Sequence, residues 1–196
     1  MNPVTHLLTG WAVATCVPTL ETRDRALVAL ACVAPDVDGL GVVADLVTRQ
    51  TAHPTDWFSR YHHQLHSLPF AILVAAICFG LARRRWLVST LALLTFHLHL
   101  LEDLAGSRGP EGYQWPIPYL APFSQAGQFI WSGQWQLNAW PNFAITTLLL
   151  LLTFYLAWRN GFSPLEMISR KVDEAFVRTL RARFGTPQKM RGSPWL

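Results

Sequence analysis

From Gly112 to Trp158 the chain carries not one Asp, Glu, Lys or Arg, and neither do residues 1–20. Soluble domains are about 25% charged throughout, whereas this chain is 14% charged. Uncharged runs of that length and apolarity argue against a soluble domain, a coiled coil or a disordered chain, and point to a membrane. The charges that exist are segregated. Residues 159–196 hold eight Lys/Arg and three Asp/Glu, a net of +5, while residues 1–158 hold eight Arg and nine acids, a net of −1. The formal +4 therefore belongs to a tail. A basic tail behind an apolar segment reads as a cytoplasmic juxtamembrane stretch, and no nucleic-acid partner is expected.

The apolar runs Leu68–Ala82 and Asn142–Trp158 read as helices in lipid, the second starting behind Pro141 and ending at Arg159. Trp86–Leu101 is a third, joined to the first by Arg83, Arg84 and Arg85. Val4–Leu20 and Arg25–Ala34 flank a polar turn and suggest a half-inserted hairpin, since Pro35 stops the second stretch too early to cross alone. The expected architecture is all-α, a polytopic membrane helical bundle of about 4–5 membrane helices. A basic amphipathic helix over Pro164–Phe184 completes it, with Leu165, Ile168, Val172, Phe176, Val177 and Leu180 at helical spacing. Residues 105–141, rich in Gly, Pro, Gln and Trp, read as an interfacial loop, with Trp115, Trp131, Trp135 and Trp140 in the aromatic belt. Positive residues on the inside place Arg83–Arg85 and the C-terminus in the cytoplasm. Cys16, Cys32 and Cys78 lie in apolar stretches without CxxC spacing and read as reduced hydrophobes. No basic segment precedes the first apolar run, so no cleavable signal peptide is expected.

On this topology four polar groupings arrive at the outer membrane face: His6; Pro35-Asp36-Val37-Asp38; His62-His63-Gln64-Leu65-His66-Ser67; and His97-Leu98-His99-Leu100-Leu101-Glu102-Asp103. His99 and Asp103 are four residues apart, so they share a helix face and can grip one ion. His62 and His66 have the same spacing, and His63 stands three residues before His66. His97 points elsewhere on a regular helix and reads as supporting or core, and His53 as loop. Singly, each element has a bland reading as a cap, a turn or a helix-surface pair. Together, ionisable groups in apolar segments signal function. Imidazole and carboxylate without thiolate suit Zn²⁺, with Mn²⁺ or Fe²⁺ as alternatives. Such an ion would lower the pKa of water and polarise a phosphoryl or carbonyl oxygen.

These elements, in this order and followed by Gly112-Tyr113-Gln114-Trp115-Pro116, resemble the YdjM-type family of inner-membrane metal-dependent hydrolases. The resemblance covers residues 1 to about 160. It implies a membrane-embedded hydrolase-like domain over 1–160 in the inner membrane, while the charge placement adds a basic cytoplasmic tail over 161–196 and a multi-pass topology with the site facing outside. The family's third element is His-Arg-Gly-x-Thr-His-Ser; here it is Tyr61-His62-His63-Gln64-Leu65-His66-Ser67. His66 and Ser67 match. The first His falls on Tyr61, or on His62 with one residue deleted, so His62 and His63 both stay open as ligands.

The arrangement is more distantly similar to zinc-dependent phospholipase C and the S1/P1 nucleases. That likeness implies Asp36, His66, His99 and Asp103 around a first ion and His6 with Asp103 at a second; His62 remains a further candidate ligand from the YdjM-type third element. No His follows residue 99, so the third site of those enzymes has no match, and one or two ions are expected. The implied reaction is metal-assisted hydrolysis of a phosphoester, small or lipid-borne, with Asp38 or Glu102 handling protons. A non-catalytic metal-binding, regulatory or structural membrane protein is the alternative. A divalent-metal carrier is disfavoured because 142–158 offers no second polar layer along a pathway.

Overall fold

A computed structural model describes residues 1–109 and 112–187; residues 188–196 of the basic tail lie outside the described residues. Asn2 opens the first helix, its side chain accepting from the Thr5 amide at 3.0 Å, with Pro3 in the first turn. The order is α1 (Pro3–Thr15), α2 (Thr22–Val33), a 3₁₀ turn (Ala34–Leu40), α3 (Gly41–Thr48), α4 (Trp57–Tyr61), α5 (Leu68–Leu81), α6 (Arg85–Gly106), α7 (Trp140–Asn160), a 3₁₀ turn (Pro164–Met167) and α8 (Arg170–Phe184). Among the described residues between α6 and α7 lie a two-residue antiparallel pair, β1 (Ile117–Pro118) with β2 (Gln128–Phe129), and an isolated bridge between Arg108 and Gln136. The all-α expectation holds.

Among the described residues three helical stretches are long and apolar enough to cross a membrane: Thr22–Thr48, Arg85–Gly106 and Trp140–Asn160. That corrects the expected 4–5. Helix α1 has 13 residues and α5 has 14, each only about 20 Å long at 1.5 Å per residue, against a hydrocarbon layer of about 30 Å. The N-terminal hairpin also differs from expectation. Pro35 does not end the helical run, because α2 passes through the 3₁₀ turn straight into α3. The amphipathic C-terminal segment is likewise divided, a 3₁₀ turn preceding α8.

Small residues let the elements approach closely. A methyl group on Gly10 would stand 2.6 Å from the Cys32 Cβ and 2.9 Å from the Ala29 Cα, so α1 and α2 touch backbone to backbone there. Buried Val28, Ala31, Ala71, Val74, Cys78, Val88, Ala92 and Phe96 fill the core between α2, α5 and α6. At one end of the bundle, buried Asp24 accepts from the Arg83 and Arg84 amides at 2.9 and 3.1 Å, satisfying orphan donors at the start of α6. Nearby, Arg25 bonds to Glu166 through two nitrogens at 2.7 and 2.6 Å. Because α2 and α6 both start at this end and α1 and α5 both finish there, His6, Asp36, His66, His99 and Asp103 all fall at the other.

Helix α7 buries only Asn142, Thr153 and Ala157 and exposes Phe143, Leu148 and Leu151, the inverse of a water-facing helix. It is fastened through polar atoms: Thr146 meets Thr5 at 2.7 Å, and Asn142 donates to Gly106 O at 2.8 Å.

Candidate metal centre

Four ligand atoms, one each from His6, Asp36, His99 and Asp103, lie within 4.8 Å of one another. His6 comes from the first turns of α1, Asp36 from the 3₁₀ turn, and His99 and Asp103 from one face of α6, where their four-residue spacing stacks them. His99 Nε2 stands 3.1 Å from Asp103 Oδ2 and 3.8 Å from Asp36 Oδ1; His6 Nε2 stands 3.3 Å from Asp103 Oδ1 and 4.0 Å from Asp36 Oδ2. A tetrahedral zinc ion with bonds of about 2.0–2.1 Å holds its donors about 3.3 Å apart. The Asp103 contacts already have that spacing. Asp36 stands a little wide, and its Oδ2 and the His6 Nε2 are buried without a hydrogen-bond partner. The donor set therefore fits a divalent ion.

His66 adjoins this set, its Nε2 lying 3.1 Å from His99 Nε2 and 3.2 Å from Asp103 Oδ2. His6 thus stands with Asp36, His99 and Asp103, while His66 attaches through Asp103 and His99. The His6 and His99 rings are 3.8 Å apart, centre to centre.

Around these atoms stands a layer that orients them. Glu102 Oε2 accepts from His6 Nδ1–H at 2.6 Å, which turns Nε2 toward the centre. Thr9 donates to the other Glu102 oxygen at 2.6 Å. Asp38 accepts from His62 Nδ1–H at 2.9 Å and from the Leu65 amide at 3.1 Å, and its Oδ2 is 3.7 Å from His66 Nδ1. His62 is accordingly one step out, on Asp38 and stacked on Phe58, outside the four converging ligands. Ser107 donates to Asp103 Oδ1 at 2.7 Å, and the Met1 amino group also reaches that oxygen. Ser107 and Thr9 were missed in the sequence although helical spacing marks both: Ser107 is four residues after Asp103, and Thr9 three after His6. His97 is occupied elsewhere, between Leu93 O and the Tyr119 hydroxyl.

One local expectation is corrected. Residues 62–67 are a turn, not a helix, so the four-residue spacing of His62 and His66 does not set their geometry. His63 adopts φ +83°, a left-handed conformation uncommon outside glycine. Both of its ring nitrogens are buried without a partner, and burial, with His66 and His62 beside it, pushes its pKa down to about 2. His66 goes the other way. Burial opposes its charged form, but the carboxylates of Asp103 and Asp38 outweigh that and raise its pKa to about 9. Among the described residues no Lys or Arg side chain pairs with Asp36, Asp38, Glu102 or Asp103. The cation that meets these carboxylates directly is the Met1 amino group, paired with Asp103.

The family model described as the YdjM inner membrane protein matches residues 1–168. The chain belongs to that family. The match takes in every residue of the cluster and runs past residue 160 to include Glu166, the partner of Arg25; α8 follows it. With its three apolar helices, the family places the chain among membrane proteins of the inner membrane. No curated protein and no solved structure matches it.

Proposed function

We propose that the protein is a membrane-bound, metal-dependent hydrolase that cleaves a phosphoester at the extracytoplasmic face. The convergence of His6, Asp36, His99 and Asp103, opposite the bundle end that carries Arg83–Arg85, carries this reading. Positive residues favour the cytoplasm, so the chain crosses several times with its C-terminus inside and the cluster outside. The likeness of motif order to zinc-dependent phospholipase C and the S1/P1 nucleases, an analogy read from the sequence, is the ground for choosing a phosphoester over a carboxylic ester.

Held by these side chains, one or two divalent ions, Zn²⁺ foremost, supply Lewis acidity to a phosphoryl oxygen and activate water at neutral pH. The chain's own groups do the rest. Glu102 holds His6 in the tautomer that presents Nε2. Asp103 offers Oδ1 to His6 and Oδ2 to His99 and His66. Asp38, paired with His62 and next to His66, accepts the proton of the attacking water and returns it to the leaving alcohol. Water oxygen bonds to phosphorus, the phosphorus–oxygen bond to the alcohol breaks, and the proton ends on that alcohol.

The test is purified protein in nanodiscs, assayed for bound metal and for hydrolysis of phosphodiesters, phosphomonoesters and ester lipids, beside His99→Ala. The expected result is copurifying zinc, loss of hydrolysis on chelation and its absence in the variant. Full activity in His99→Ala, or hydrolysis indifferent to chelator, overturns the proposal. Stoichiometric zinc with no hydrolysis of any ester leaves the non-catalytic metal-binding alternative.

A further inference from the structure

Two cavities flank the Asp38–His62 pair, which adjoins the centre through His66, and they differ in chemistry. One, of about 520 Å³, is an apolar groove under Trp57, walled by Val37, Leu40, Ala44 and Leu65, with Asp38 on its wall. The other, of about 370 Å³, combines Trp115 and Tyr113 with the amides of Gln125 and Gln128, and has His62 and His63 on its wall. Gln64 lines both, and the Asp38–His62 hydrogen bond of 2.9 Å joins their walls. Both volumes lie within the roughly 300–1,000 Å³ usual for ligand sites.

The groove does not end in water-facing surface. It is continuous with α3, which buries no side chain and exposes Val42, Val43, Leu46 and Val47. Helix α3 closes the stretch Thr22–Thr48, which is apolar and long enough to cross a membrane, so the groove opens along the surface that lipid covers. The second cavity has the opposite character. Each Gln amide brings one acceptor and two donors, and the aromatic faces offer flat apolar contact; that combination suits a hydroxyl-bearing group. A hydrocarbon seat and a hydroxyl seat meeting at the Asp38–His62 pair match an amphiphile.

We propose that the substrate is a membrane lipid bound across both cavities, its hydrocarbon chain in the groove under Trp57 and its hydroxylated phosphate headgroup against Trp115 and the glutamines. The phosphoester link then lies over the Asp38–His62 pair, beside His66. This rests on the hydrolase reading for the reaction but not for the binding, and the two are tested apart.

Zinc-loaded protein is placed in nanodiscs of phosphatidylcholine containing phosphatidylglycerol with a photoreactive diazirine in its acyl chain, and the labelled peptides are identified by mass spectrometry. Labelling within residues 37–65 should saturate as the probe fraction rises and be displaced by unlabelled phosphatidylglycerol. Labelling around Leu148 and Leu151 of α7 should rise in proportion throughout, as for plain lipid contact. Ala44→Trp, which fills the groove, should cut labelling of 37–65 about tenfold while leaving α7 labelling and zinc content unchanged. Proportional, undisplaced labelling of 37–65 in the wild-type protein refutes the seat without recourse to any variant. Saturable labelling with no hydrolysis of phosphatidylglycerol or a short-chain analogue supports the seat and removes the hydrolase reading; hydrolysis with proportional labelling does the reverse.

Discussion

Glu102 does not touch the converging ligand atoms, yet the geometry gives it a measurable hold on metal affinity. Its Oε2 takes the His6 Nδ1 proton at 2.6 Å and its Oε1 takes the Thr9 hydroxyl proton at 2.6 Å. The carboxylate therefore fixes the tautomer and the rotation of a fully buried imidazole whose Nε2 has no other partner. In Glu102→Gln the amide oxygen can keep one bond, but the charge that strengthens the His6 ligand is lost. Removal of such outer partners lowers metal affinity about 10–100-fold, or about 1.4–2.8 kcal/mol. The assay is zinc titration of metal-free protein in nanodiscs against a chromogenic chelator, with hydrolysis measured at saturating zinc. A 10–100-fold weaker Kd with substantial activity restored by excess zinc is expected. Unchanged zinc affinity together with abolished turnover would refute the reasoning, because Glu102 would then be carrying protons and not orienting His6.

Three further outcomes follow from the same structure. The metal-free centre should respond to pH through His6 and His66: each has a folded pKa of about 9, above the ordinary value of about 6.5, so their contribution is complete below about pH 6.5 and is lost as pH rises through about 9. Thermal unfolding of chelated protein across that window should show falling stability, and zinc affinity should climb with pH as the competing proton leaves; a flat profile in both refutes the assignment. Gly10→Ala should cost about 1–3 kcal/mol by overpacking against Cys32 and Ala29 and weaken zinc binding by shifting α1 and His6, read by thermal melts and chelator competition. Asp24→Ala should cost about 1–2 kcal/mol by uncapping α6 while leaving zinc affinity within a few-fold of wild type, since that end of the bundle lies away from the cluster; equal loss of metal would contradict that separation.

The sequence was most informative where local periodicity or charge placement decides the outcome. The uncharged runs fixed a helical membrane protein because buried backbone in lipid must bond to itself. The four-residue step from His99 to Asp103 put both on one face, and the same step to Ser107 was there to be read. It was least informative where a side chain meets one from another element. Periodicity says which face a residue occupies but not what stands opposite, so the pairing of Glu102 with His6 was invisible, and His6 and Asp36, expected at one membrane face but on separate ions, were not foreseen at one point.

His62 and His63 show the limit most sharply. Their spacing to His66 had meaning only on a helix, and residues 62–67 form a turn in which His62 takes Asp38 and His63 is left with both nitrogens unpartnered. The span count failed for a similar reason: apolarity marks a segment as able to lie in lipid, but the helix ends at Thr15 and Leu81 set how far it reaches. Composition and spacing alone determined a helical membrane chain with histidines and carboxylates at one end. Only the tertiary structure decided which donors share a point, because the close contact at Gly10 and the Asp24 cap on α6 set the helices in register, and register decides which side chains face one another.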